Sequence, residues 1–141
     1  MRALALDIGD KTIGVAASDL LGLTAQGVET IRRTSNKNDL QRLGELVNQF
    51  EAKTCVIGLP KNMDGTEGTR CELVRKFAVK ICAAFPEVNQ IFWDERLSTV
   101  AASKSLIEAD LSRKKRKKVI DKIAAVYILQ GYLDSRNAAI S

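Results

Sequence analysis

Apolar and polar positions change period several times along the 141-residue chain, and each change marks an element. The apolar run through Ala3, Leu4, Ala5 and Leu6 predicts a strand from Arg2 to Asp7. Thr12 to Ser18 predicts a second strand, folding back across the turn Gly9-Asp10-Lys11, where Gly9 is free to take a positive φ. Gly14 within it marks a close backbone approach. Gln26 to Ile31 is a third strand. Asn38 to Glu51 has helical spacing, with Leu40, Leu43, Leu46, Val47 and Phe50 on one face and Asn36 or Asn38 as cap. Thr54 to Leu59 is short and continuously apolar, as in a strand buried on both sides of a parallel sheet. Pro60 to Gly68 is a turn-rich loop containing Asp64-Gly65. A helix follows from about Thr69 to Ala84, with Glu72 completing a capping box, and Pro86 ends it. Val88 to Trp93 is a fifth strand. Ser98 or Thr99 caps a helix running to about Glu108. After a basic loop, the last helix covers about Lys117 to Asp134.

The order βββαβαβαα describes an α/β chain, a five-stranded mixed sheet flanked by α-helices, in one domain over residues 1–141. It brings the ends of the first, fourth and fifth strands together, at the edge where open α/β sheets bind ligands.

Three acidic positions interrupt this pattern. Asp7 ends the first strand, Asp94-Glu95 follows the apolar Ile91-Phe92-Trp93, and Asp121 lies within Val119-Ile120-Asp121-Lys122-Ile123-Ala124-Ala125. A charge at the edge of a core costs several kcal/mol unless something pairs with it. Asp121 shares a helical face with Ala124, Ala125, Ile128 and Tyr132, and the two alanines let that helix approach the sheet, so Asp121 faces inward. Each acid also has an ordinary reading. Asp7 can cap the Gly9 turn, Asp94-Glu95-Arg96 can be a surface turn with an internal ion pair, and Asp121 can pair with Lys117 or Lys118. Jointly, three carboxylates converging on one sheet edge suit Mg2+ or Mn2+. Two such ions activate a water and stabilise a leaving oxygen in phosphodiester hydrolysis, with Asp7 bridging, Glu95 or Asp94 on one ion and Asp121 on the other.

Composition narrows the chemistry further. The chain has no histidine, which removes Ser-His-Asp and Cys-His catalysis and His-ligated zinc within one subunit. Its three cysteines, Cys55, Cys71 and Cys82, are odd in number and lack CxxC spacing, which fits a reducing cytoplasm. No segment has the length of a membrane span or the apolar core of a signal peptide. The net charge is +5, and Arg113-Lys114-Lys115-Arg116-Lys117-Lys118 carries six positive charges in succession. Removing them leaves −1 for the rest, so the basicity is one patch. It is either a solvated segment or a salt-sensitive contact to a nucleic-acid backbone. With aromatics at 5%, backbone and shape recognition suit this chain better than base stacking.

Four blocks resemble the YqgF/RuvX family and span almost the whole chain in order. They are Ala5-Leu6-Asp7-Ile8-Gly9-Asp10-Lys11-Thr12-Ile13-Gly14-Val15-Ala16, Gly58-Leu59-Pro60-Lys61-Asn62-Met63-Asp64-Gly65-Thr66-Glu67-Gly68, Asp94-Glu95-Arg96-Leu97-Ser98-Thr99-Val100-Ala101-Ala102, and Asp121 to Ala125 with Ile128 to Leu133. The resemblance implies an RNase H-like fold and a cytoplasmic, metal-dependent nuclease that processes the 5′ end of pre-16S rRNA. It implies Asp7, Glu95 and Asp121 as catalytic acids and metal ligands, with Asp94 beside them. The loop Asn62-Met63-Asp64-Gly65 would then be a substrate-side element; a well-formed turn is the other reading of Asn62 and Asp64. Lys11, Arg96 and the run Arg113–Lys118 join Asn62 and Asp64 as substrate-binding candidates. The family usually has a basic residue after Lys11; here Thr12 follows and Asp10 precedes, so the turn is less positive. The alternatives are cleavage of four-way DNA junctions and a non-catalytic nucleic-acid-binding factor. An actin-like ATP-binding protein needs two such domains, which this length disfavours. Partners would be pre-rRNA or branched DNA with no membrane, and the chain a monomer or a homodimer.

Overall fold

A computed structural model describes residues 2–97 and 113–140, with side chains described for 2–97 and 123–138. The first three strands, β1 (Arg2–Ile8), β2 (Thr12–Ser18) and β3 (Ala25–Arg32), form an antiparallel meander. Helix α1 (Asn36–Gln49) leads to β4 (Ala52–Leu59), and α2 (Thr69–Ala84) leads to β5 (Asn89–Asp94). Both later strands run parallel to β1, giving a mixed sheet of order β3-β2-β1-β4-β5. A 3-10 turn, Glu95–Leu97, follows β5, and α3 (Arg113–Ile140) closes the described chain.

Alternation along β1 divides the core in two. Leu4, Leu6 and Ile8 point to one face, where they pack with Leu43 and Leu46 of α1 and Val74, Phe77 and Ile81 of α2. Ala3 and Ala5 point to the other, with Ala16 and Val56, and meet Ala124, Ala125, Ile128, Leu129 and Leu133 of α3. Bulky branched side chains hold two helices off one face. Alanines on both partners let α3 sit close on the other, and at Gly131 a Cβ would lie 3.0 Å from the Trp93 ring. Truncating a buried leucine such as Leu46 to alanine costs about 2–5 kcal/mol.

Several local expectations change. Ser35, extended at φ −145, caps α1 in place of Asn36 or Asn38, and its Oγ accepts the Asn38 N–H at 3.1 Å. Thr69 is already helical, and Gly68 at the cap offers no side chain, so the Thr69–Glu72 capping box does not form. Gly9 does not take a positive φ. Its N–H donates to Thr12 O at 2.8 Å, and a Cβ there would crowd that oxygen at 3.2 Å, so close approach is what requires glycine. The last helix, expected from about Lys117, begins at Arg113, so residues 113–116 open α3 rather than forming a loop, in keeping with the helix propensity of lysine and arginine. The helix expected over Ser98–Glu108 lies outside the described residues. Among the described residues no helix is long and apolar enough to cross a membrane.

Candidate functional site

Asp7 is the penultimate residue of β1 and is 6% exposed. Parity places it on the face shared by Ala3 and Ala5, under α3 rather than under α1 and α2. Its partner across β2 is Gly14. On the β4 side, the register Leu6 to Ile57 puts Gly58 beside it. Both lateral neighbours of this carboxylate therefore lack side chains.

Glu95 and Ile128 fill the place that a Cβ on Gly58 would take. A Cβ on Gly58 would lie 3.2 Å from Glu95 Oε2 and 3.3 Å from its Cγ, so this acid lies directly over the glycine adjacent to Asp7. Ile128 of α3 bounds the same position, its Cδ1 2.5 Å from where that Cβ would be. Asp94 and Glu95 then have different surroundings. The Arg96 guanidinium forks onto Asp94, with Nε 3.1 and 3.2 Å from its two oxygens and Nη2 2.7 Å from Oδ2, and the Arg96 N–H donates to the same carboxylate. This pairing holds Asp94 below the usual aspartate range.

Arg96 also reaches across to the loop after β4, donating from Nη1 to Met63 O at 3.2 Å. It lies against Gly65, whose φ of +88 and missing Cβ allow the contact. The loop is otherwise internally bonded. Asp64 Oδ1 accepts from the Thr66 hydroxyl at 2.6 Å and the Thr66 N–H at 3.0 Å, and Asn62 Nδ2 donates to Thr66 Oγ1. These bonds keep Asp64 below the ordinary aspartate range. Asn62, Asp64 and Arg96 therefore brace one loop against the β5 end.

A second brace was not visible in the sequence. Arg33, just after β3, donates to Gly9 O at 2.9 Å and to Asp39 Oδ2 at 3.0 Å, and stacks on Phe77 at 4.6 Å. Its N–H donates to Lys11 O. Asp39 is 2% exposed and also accepts the Thr34 N–H. The turn that follows Asp7 is thereby tied to α1 and α2. Contacts among three separated segments leave no local signature. Lys11 itself is exposed on that turn.

Position 121 lies in α3, one turn before the buried Ala124 and Ala125, while the Asp121 side chain and those of Arg113–Lys118 lie outside the described residues. Among the described residues no three His, Cys, Asp or Glu side chains cluster tightly enough to hold an ion. The all-oxygen chemistry of Asp7 and Glu95 fits a hard divalent cation.

Comparison with known proteins places this geometry. A protein of Clostridium tetani named "Putative pre-16S rRNA nuclease" is 58% identical over 135 residues, covering 96% of this chain and 97% of its own. One of the same name from Clostridioides difficile is 58% identical over 133 residues, 94% of each chain. The structure of Thermus thermophilus RuvC in complex with Holliday junction substrate superposes with a TM-score of 0.63 at 13% identity, covering 98% of this chain and 96% of that one. The fold is RNase H-like. The family model described as RuvX, Holliday junction resolvase, matches residues 1–135, and the chain belongs to that family.

Proposed function

We propose that this protein is a nuclease that hydrolyses phosphodiester bonds in pre-16S rRNA, with Asp7, Glu95 and Asp121 as its catalytic acids. The observation that carries the reading is the placement of Glu95 over Gly58, beside Asp7 and on the face covered by α3. Asp7 closes β1, and Glu95, in the 3-10 turn after β5, lies over the glycine next to it. The names of the relatives at 58% identity support the rRNA substrate.

The three acids would hold Mg2+ or Mn2+, one ion or a pair, which when bound supplies Lewis-acid activation of a water and neutralises charge on the leaving oxygen. The chain's own contribution is positional. Strand pairing fixes Asp7 on two sides, and the Arg33 brace fixes the turn beyond it. Arg96 binds Asp94 and Met63 O, which sets the 3-10 turn that carries Glu95. We assign Arg96 and Asp94 to positioning, and Glu95 rather than Asp94 to the ion. The run Arg113–Lys118 supplies backbone attraction at the start of α3.

A second reading, cleavage of four-way DNA junctions, is favoured by the family description and by the shared fold with junction-bound RuvC. The test offers a pre-16S leader and a four-way junction to wild type and Asp7→Asn, with Mg2+ or Mn2+. The wild type should cut the leader with the larger kcat/KM, and Asp7→Asn should lose at least about a hundredfold while keeping its melting curve. Equal activity of the variant would overturn the acid assignment. Preference for the junction would replace the rRNA reading with the second one.

A further inference from the structure

On the face of the sheet opposite α3 lies a cleft of about 460 Å³, between the start of α1 and the length of α2. It opens at the same end of the sheet as Asp7, and residues 8–10 form its edge. Arg33 lies in its wall, neutralised by the buried Asp39. Along the α2 rim stand Arg70, Lys76 and Lys80, all exposed. Lys76 is 4.0 Å from Glu72 across one exposed helical turn, a weak pair. Arg70 and Lys80 form no ion pair among the described residues. The opposing charge on the rim is Asp10.

We propose that this cleft binds the phosphodiester backbone of a nucleic-acid strand, as a second contact region on the far side of the Gly9–Lys11 turn from Asp7. A small anion would need convergent cations, whereas these are drawn out in a line. Ten residues of helix separate Arg70 from Lys80 by about 15 Å. That is the axial length of roughly four phosphates in one strand of a duplex. The exposed Leu73, between them on α2, leaves the trough without a competing acid on its helix side. Identifying the strand as substrate rests on the nuclease reading; the binding itself does not.

The test compares two variants with equal net charge. Arg70→Gln/Lys80→Gln alters the cleft. Lys53→Gln/Arg136→Gln removes two exposed cations from the start of β4 and from α3, beside the Asn137 that reaches Gly22 at the opposite sheet end. Affinity for a labelled single-stranded RNA of about 30 nucleotides is measured by anisotropy in EDTA, across a salt series, with melting curves as the folding control. Two lost phosphate contacts reduce the slope of log K against log salt by about 1.4. Extrapolated from no electrostatic contribution at 1 M, that weakens binding about 14-fold at 0.15 M salt. The cleft variant should show both changes and the control less than about a twofold loss. An unchanged cleft variant, or a control that loses as much, overturns the proposal. Because binding is read without divalent metal, a wild type that binds RNA through the cleft but cuts nothing would sink only the nuclease reading.

Discussion

Gly58→Ala probes the two acids from the side that the backbone leaves open. The added methyl would lie 2.5 Å from Ile128 Cδ1, 3.2 Å from Glu95 Oε2 and 3.3 Å from Glu95 Cγ. The first clash is with the far end of a flexible side chain, and relieving it disturbs the core under α3. Overpacking of this kind costs about 1–3 kcal/mol, which lowers Tm by roughly 3–10 °C in a chain of this size. The second clash moves Glu95 by about 0.2–0.4 Å. On a scale of about a hundredfold per Å of misplacement, cleavage slows about three- to sixfold. Ile128→Val removes only the atom of the first clash, and costs about 0.5–1.5 kcal/mol alone. The double variant should therefore be more stable than the two single losses predict, by about 1 kcal/mol of coupling. Its cleavage should stay three- to sixfold slow, because the contact with Glu95 persists. Urea melts and single-turnover cleavage of the pre-16S leader separate the two effects. If activity returns together with stability, Gly58 acts only through packing and does not shape the acid.

Two further outcomes follow from the electrostatics. Arg96 holds Asp94 below its ordinary value of 3.8, so wild type should exceed Arg96→Met in stability above that value. The gap should close as pH falls through the lower folded value and Asp94 protonates in both; urea melts from about pH 3 to 7 check this, and a gap that widens in acid refutes it. Burial pushes the Cys55 thiol up to about 12, Cys71 is also buried, and Cys82 is exposed. A thiol reagent should titrate one group per native chain and three in urea, and Cys82→Ser should abolish the native reaction; two fast native thiols would contradict the packing.

Much of the scaffold was legible because period and burial agree in it. Thr12–Ser18 and Thr69–Ala84 fall where pattern places them, the first a run buried throughout and the second a helix with Cys71, Val74, Phe77, Ala78 and Ile81 on its buried face. Asp7 stood out because a carboxylate closes an apolar strand. Caps were less legible: Ser35, Asn36 and Asn38 are all competent, and the extended backbone at Ser35 decides among them. The start of the basic run, residues 113–116, has no apolar period, so charge alone suggested a loop where helix propensity prevails. Asp94 and Glu95 were indistinguishable in sequence. Only the Arg96 fork and the missing Cβ at Gly58 give them separate places. The Arg33 brace depends on Gly9, Asp39 and Phe77, which only the tertiary fold brings together.

Odd and even positions in β1 have different fates, and this limits how the chain can vary in length. One residue inserted between Ala3 and Leu6 would turn Asp7 towards Leu46, Ile57 and Val74, where an uncompensated carboxylate costs several kcal/mol. Two inserted residues would restore the face but carry the acid about 6.6 Å past Gly58. The sheet's own irregularity between β1 and β4 comes at the start: Arg2 pairs with Ala52 and Ala3 with Thr54, leaving Lys53 over. That slip is absorbed before Cys55, and from there to Gly58 the two strands keep step. Additions are better tolerated at the β2–β3 turn, residues 19–24, where Leu20, Leu21 and Leu23 are exposed and the acid at stake is Asp19, which only caps the turn by accepting the Leu23 and Thr24 N–H groups.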